Sequence, residues 1–96
     1  MNLPQLLNDN RERIIQIAAK HGARNVRVFG SVARGEADAQ SDLDLLVEFE
    51  LGRSLLDHAR LWRELEAALG CKVDVVSDRG IKPRIRDRVL QEAIPI

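Results

Sequence analysis

The chain has 96 residues, the size of one small domain with one core, so residues 1–96 are expected to form a single domain. Fifteen basic and fifteen acidic residues cancel, which removes any overall field toward nucleic acid or membrane, and direct binding to neither is expected. Cys71 is the only cysteine and fits a reducing compartment, Met1-Asn2-Leu3-Pro4-Gln5 lacks signal-peptide features, and no apolar run approaches the ~20 residues of a membrane span, so a soluble, cytoplasmic protein is expected.

Leu3, Leu6, Leu7, Ile14, Ile15 and Ala18 recur at turn spacing and predict an opening helix, with Pro4 suited to its first turn and Gly22 to its C-terminal cap. Asn25-Val26-Arg27-Val28-Phe29 is rich in β-branched and aromatic residues and predicts a strand running into a tight turn at Gly30-Ser31. Val32 to Ala39 is a short, Ala-rich link with room for one helical turn near Val32 to Arg34. Asp42 to Phe49 predicts a second strand. Its odd-numbered positions are apolar and face the core, which leaves Asp42 and Asp44 together on the other face. Ser54-Leu55-Leu56-Asp57 reads as a capping box with Asp in place of the usual Glu. The helix it opens carries Leu55, Ala59, Trp62, Leu65 and Leu69 on one stripe, and Gly70 is placed to end it. Lys72 to Val76 predicts a third strand, with Asp74 facing away from Val73 and Val75. A last helix follows Pro83, with Ile81, Ile85, Val89 and Ala93 in register.

A helix joins the second and third strands, which predicts a parallel pair with a right-handed crossover. The link between the first and second is too short for a crossover helix, which predicts an antiparallel pair. The expected architecture is an α/β chain of the α+β kind: a small three-stranded mixed sheet with helices packed mainly on one face.

Two residues along a strand span roughly 6.5–7 Å, so Asp42 and Asp44 can close around a pair of divalent cations. Two-metal sites hold their ions about 3.5–4 Å apart across an in-line displacement, and Asp74 on the neighbouring strand supplies a third carboxylate. Left alone, such acids repel by about 4 kcal/mol per pair at 4 Å and an effective dielectric near 20. A gathering of this kind calls for a cation, and hard oxygen ligands select magnesium or manganese over zinc. Gly30 lets backbone approach a phosphate closely, the Ser31 hydroxyl can bond it, and Arg34 adds a charge-assisted contact. Ten residues separate Ser31 from Asp42, enough to bring anchor and cage to one sheet edge.

Each element alone has a blander reading. Asp-x-Asp also occurs on solvated strand faces and in glycosyltransferases, and Gly-Ser is often a plain turn. Arg79, Lys82, Arg84, Arg86 and Arg88 read as a solvated helix face, or more sharply as contacts to a triphosphate or an acidic partner. Trp62 reads as core, His21 and His58 as structural or exposed, and Cys71 as a small buried hydrophobe. Glu48 shares the face of Asp42 and Asp44 but lies further along.

Taken together, Gly30-Ser31-Val32-Ala33-Arg34-Gly35 followed by Ser41-Asp42-Leu43-Asp44-Leu45-Leu46-Val47 closely resembles the signature of the DNA polymerase β-type nucleotidyltransferase superfamily. The length and the segment Ile81-Lys82-Pro83-Arg84-Ile85-Arg86 resemble its minimal nucleotidyltransferases. The resemblance implies that Asp42 and Asp44 bind two magnesium ions and that Asp74 completes the site and helps activate the attacking hydroxyl. It implies that Gly30 and Ser31 hold the triphosphate, with Arg34 and Ser41 also on the nucleotide side. The implied reaction is attack of an acceptor hydroxyl on the α-phosphate of ATP, with pyrophosphate leaving. It further implies a HEPN-family toxin as partner, AMP added to a toxin tyrosine, and an antitoxin role in a type VII-like module. A chain with little length for an acceptor domain fits an acceptor that arrives as a protein. The alternative is a non-catalytic binding module that neutralises the same partner by burial. Transfer to a small molecule, as in aminoglycoside nucleotidyltransferases, is disfavoured because those enzymes use additional chain to hold the drug.

Overall fold

The computed structural model describes residues 2–38 and 40–96; Met1, and Ala39 in the link between the first two strands, lie outside the described residues. The opening apolar pattern folds as two helices, α1 (Leu3–Asp9) and α2 (Arg11–Lys20), where the sequence predicts one. Asn10 makes the break: its backbone leaves helical geometry at φ −112° and ψ 13°, and its side-chain amide donates to the Leu6 carbonyl at 2.9 Å. Such local bonding competes with helix propagation. Pro4 sits in the first turn of α1 and Asn2 caps it, accepting from the Gln5 N–H at 3.0 Å.

Strand β1 (Ala23–Phe29) starts two residues earlier than the pattern predicts, because a bulge realigns it between Arg24 and Arg27, with Asn25 at φ 52°. The predicted helical turn after it is α3 (Gly30–Arg34). Then follow β2 (Leu43–Phe49), α4 (Leu55–Leu69), β3 (Val73–Ser77), α5 (Pro83–Glu92) and β4 (Ile94–Pro95). The sheet order is β3-β2-β1-β4, with β1–β2 antiparallel and β2–β3 parallel as expected. The fourth strand corrects the three predicted. Ile94 and Pro95 pair with Val28 and Arg27 at the β1 edge, too short a run to show periodicity and with a proline only an edge tolerates.

The odd face of β2 is buried as predicted: Leu43, Leu45 and Val47 are fully enclosed, with Ile14 of α2 and Leu61 and Leu65 of α4 in the same cluster. Each such leucine contributes about 1.5–3 kcal/mol by leaving water. The α4 stripe needs correction, since its buried ridge is Leu61, Leu65 and Leu69, while Ala59 is exposed and Leu55 is 85% exposed. No residue of α4 before Leu61 belongs to the buried cluster, so its first turn gains nothing from the apolar pattern. The capping box itself forms, with the Ser54 N–H donating to Asp57 at 2.9 Å, and Gly70 ends the helix at φ 66°.

Helices α1 to α4 serve this face. The other face carries a smaller cluster in which Leu46 of β2 meets Ile81 and Val89, so α5 lies on the opposite side. One β2 face is therefore polar at Asp44 and apolar two residues later. No helix of the described residues is long and apolar enough to cross a membrane.

Candidate functional site

Three neighbouring strands assemble the site. Phe29, the last residue of β1, pairs with Asp44 of β2, and Asp44 pairs with Asp74 of β3. Adjacent strands lie about 4.8 Å apart, so Phe29, Asp44 and Asp74 form a row across the sheet, and Gly30, next after Phe29, stands against the Asp44 carboxylate. Burial of Leu43, Leu45, Val73 and Val75 fixes which way both aspartates point. A one-residue slip in either strand would send those apolar side chains into water. Asp42 does not open β2 as predicted but precedes it, exposed, next to Leu43, whose N–H donates to the carbonyl of Lys72 just ahead of β3 at 3.0 Å.

Gly30 has φ +73°, and a β-carbon there would run into the Asp44 carboxylate. Glycine thus serves twice, taking a left-handed backbone and leaving room for the acid. Gly35 closes α3 in the same left-handed region, accepting no clash in return.

The acids sense one another. Burial, then Asp74, then Asp42 push the Asp44 carboxyl up to about 6, partly offset by Arg34. Burial and Asp42 also raise Asp74, with His58 pulling the other way. Among the described residues, no three His, Cys, Asp or Glu side chains form a ready-made metal cluster. The donor chemistry nevertheless fits a hard divalent cation: Asp42, Asp44 and Asp74 offer only oxygen, and a cation would relieve the crowding that raises Asp44.

Beside Asp44 lies a hollow of about 310 Å³ that also takes in Gly30, Ser31 and Arg34. Of the predicted nucleotide residues, these three are brought together. Ser41 is not: its hydroxyl accepts from the Asp38 N–H at 2.9 Å, its own N–H returns to the Asp38 carbonyl at 3.1 Å, and it lines a different hollow with Asp42 and Lys72. Its place beside Asp42 in sequence gave no warning that a local turn would occupy it.

Helix α5 supplies two residues that the motif did not single out. Arg88, read with its neighbours as a solvated face or, more sharply, as a contact to a triphosphate or an acidic partner, lines the hollow of Gly30, Ser31 and Asp44, whereas Arg86 donates to the Asp78 carbonyl at 2.7 Å. Glu92 escaped the sequence reading altogether. Its Oε2 accepts from the Gly30 N–H at 2.8 Å and its Oε1 from Arg34 Nη1 at 2.7 Å. These two bonds hold the Glu92 carboxyl below its usual range despite burial.

Glu48 pairs with Arg24 at 3.3 Å rather than joining the site. His21 contacts Glu64 at 3.0 Å, and His58 Nε2 lies 2.6 Å from the Val75 carbonyl, between the rings of Phe49 and Trp62. Trp62 and Cys71 are partly buried against the main cluster.

Residues 11–96 match the nucleotidyltransferase domain family. The chain belongs to that family. A relative from Methanocaldococcus jannaschii, named as a candidate protein adenylyltransferase, is 47% identical over 90 residues, spanning 94% of this chain and 97% of the relative. The protein adenylyltransferase MntA of Thermococcus cleftensis is 43% identical over 79 residues, spanning 82% and 80%. A solved structure of a candidate minimal nucleotidyltransferase superposes with TM-score 0.87 at 60% identity, over 97% of this chain and 95% of that one. A crystal structure of a toxin–antitoxin with AMP-PNP shares the fold at TM-score 0.77 and 23% identity, over 90% of this chain and 71% of that one. The row of glycine and aspartates is thus the candidate transfer site of a nucleotidyltransferase.

Proposed function

We propose that this nucleotidyltransferase moves AMP from ATP to a hydroxyl, that of a tyrosine, on a partner HEPN toxin, and so acts as the antitoxin of a type VII-like module in the cytoplasm. Residues 1–96 would do this as a single domain. The observation that carries the reading is the register that sets Asp44 between Phe29 and Asp74, with Gly30 against the Asp44 carboxylate and with Ser31 and Arg34 lining the same hollow as Asp44. The relatives named as protein adenylyltransferases support a protein as acceptor, and the shared fold of a toxin–antitoxin structure with AMP-PNP supports ATP and a toxin.

Asp42, Asp44 and Asp74 would hold two Mg²⁺ ions, or Mn²⁺, which when bound neutralise charge at the α-phosphate and its leaving group. The remaining work falls to the chain. Ser31 and Gly30 cradle the triphosphate, and Arg34 and Arg88 supply charge-assisted bonds to it. Asp74 receives the proton of the attacking hydroxyl. A bond forms between the acceptor oxygen and the α-phosphorus, the bond to the β-phosphate oxygen breaks, and pyrophosphate departs. Positioning and charge neutralisation dominate such a transfer.

The deciding experiment is the intact mass of the product of the neighbouring gene, incubated with the purified chain, ATP and Mg²⁺. A gain of one or more AMP units, lost with Asp42→Asn, is expected. An unmodified but tightly complexed neighbour would replace this reading with the non-catalytic binding module.

A further inference from the structure

We propose that Glu92 is a positioning residue of the nucleotide site, which holds the phosphate loop and Arg34 in their receptive geometry from the far end of the chain. The inference rests on the nucleotide reading of that hollow. One carboxylate serves both of the loop's fixed points: Oε2 takes the Gly30 N–H at 2.8 Å and Oε1 takes Arg34 Nη1 at 2.7 Å. The Glu92 side chain is only 15% exposed, whereas that of Arg34 is 38% exposed. The carboxylate is the anchored partner, and the guanidinium keeps a solvent-facing side for an incoming anion.

Backbone placement makes this anchor firm. Glu92 is the last residue of α5, and two residues later Ile94 pairs with Val28 in β1, two residues before Gly30. Strand β4, Val89 packed under Leu46, and the Glu92 bonds therefore bind the end of α5 to the end of β1 over a span of a few residues. Arg34 Nε also meets Glu36 at 3.3 Å, but Glu36 is 65% exposed and a weak guide. Without Glu92, Arg34 would regain its rotamers and the Gly30 N–H would lose its acceptor. Charge-assisted bonds of this kind set orientation as well as energy, and Gly30 stands against Asp44, so slack in the loop reaches the carboxylate row.

The test is ATP binding in the presence of Mg²⁺ by the full chain, measured by calorimetry for wild type, Glu92→Gln, Glu92→Ala, Arg34→Ala and Glu92→Ala with Arg34→Ala. Loss of one charge-assisted pair predicts an affinity about tenfold lower for Glu92→Ala. Glu92→Gln, which keeps an oxygen for the Gly30 N–H but no charge for Arg34, should fall between it and wild type. The double variant should bind no more weakly than Arg34→Ala does, since Glu92 acts largely through that guanidinium. A merely structural role would lower the melting temperature and add its loss in either background. Glu92→Ala binding as well as wild type, or more tightly, overturns the assignment, and tighter binding would make the carboxylate a competitor of the phosphates. If Glu92→Ala does not fold, the near-isosteric Glu92→Gln in both backgrounds decides in the same way. Failure of wild type itself to bind ATP overturns the nucleotide reading and this role together, whereas binding by wild type that Glu92 does not influence overturns this role alone.

Discussion

Gly30→Ala imposes two penalties that the structure allows to be separated. Gly30 and Gly35 share the same φ of +73°, so an alanine at either carries the same kind of backbone cost, about 1–2 kcal/mol. A β-carbon at Gly35 meets nothing within 4 Å, whereas one at Gly30 collides with the Asp44 carboxylate. Displacing that half-buried acid adds an overpacking cost of about 1–3 kcal/mol. Gly35→Ala should therefore lower stability by about 1–2 kcal/mol and Gly30→Ala by about 2–5 kcal/mol. At about 4–8 °C per kcal/mol for a domain of this size, the two variants should melt at clearly different temperatures.

Urea denaturation followed by circular dichroism, with Gly30→Ala and Gly35→Ala side by side, measures the difference. A third comparison assigns its cause. In an Asp44→Ala background the colliding oxygen and Cγ are gone, and the nearest remaining Asp44 atom is Cβ at 3.3 Å from the added carbon. Most of the excess cost of Gly30→Ala over Gly35→Ala should then disappear, the 3.3 Å contact leaving only a small remainder. Equal losses at the two glycines in the parent protein, or an undiminished loss at Gly30 after Asp44→Ala, would refute the claim that Gly30 leaves its side-chain space to the acid.

Two further outcomes are expected. Asp44 has its carboxyl raised from an ordinary 3.8 to about 6, so its ionisation opposes folding: the penalty is absent below pH 3.8, grows between the two values and is complete above about 6. Two pH units correspond to about 3 kcal/mol, reduced to about 1–2 kcal/mol because the group is half open to solvent. Asp44→Asn without divalent ions should therefore be the more stable protein at pH 8 and gain nothing near pH 3.5, as read by urea midpoints across that range; a gain independent of pH would exclude the electrostatic cause. Ser54→Ala removes the hydroxyl that accepts the Leu56 N–H at 3.2 Å at the start of α4 and should cost about 1 kcal/mol in the same assay, with no change in nucleotide affinity.

What the sequence made legible follows from how local each determinant is. The alternation Leu43, Leu45, Val47 against Asp44 is a property of consecutive residues, and it fixed the strand, its buried face and the direction of the acid at once. The capping box and Gly70 likewise act within a few residues of themselves, and α4 begins and ends where they say. Errors arose where a local pattern was compatible with two tertiary outcomes. The apolar spacing through Leu6 and Ile14 suits one helix or two, and a side-chain bond at Asn10 chose two. The Leu55 and Ala59 pattern suits a buried stripe, but burial depends on whether anything packs there, and the packed ridge starts at Leu61.

The same reasoning explains the site. Asp42, Asp44 and Gly30-Ser31 were legible because a strand, the residue just before it and a turn display them within fifteen residues of one another. Ser41 shares that stretch, yet its hydroxyl is claimed by Asp38, a competition among near neighbours that the motif spacing does not express. Glu92 lies at the opposite extreme. Its partner Gly30 is 62 residues away, and nothing in the surrounding Gln91-Glu92-Ala93 distinguishes it from a solvated end of a helix. The link is made only when β4, two residues long, lays the end of α5 beside β1. Because Arg34 then faces the hollow from a carboxylate held 85% out of solvent, its direction is set by the end of the chain as much as by the motif that contains it. A change at Ile94 or Pro95 that frees β4 should thus loosen Arg34 without touching any residue of the motif.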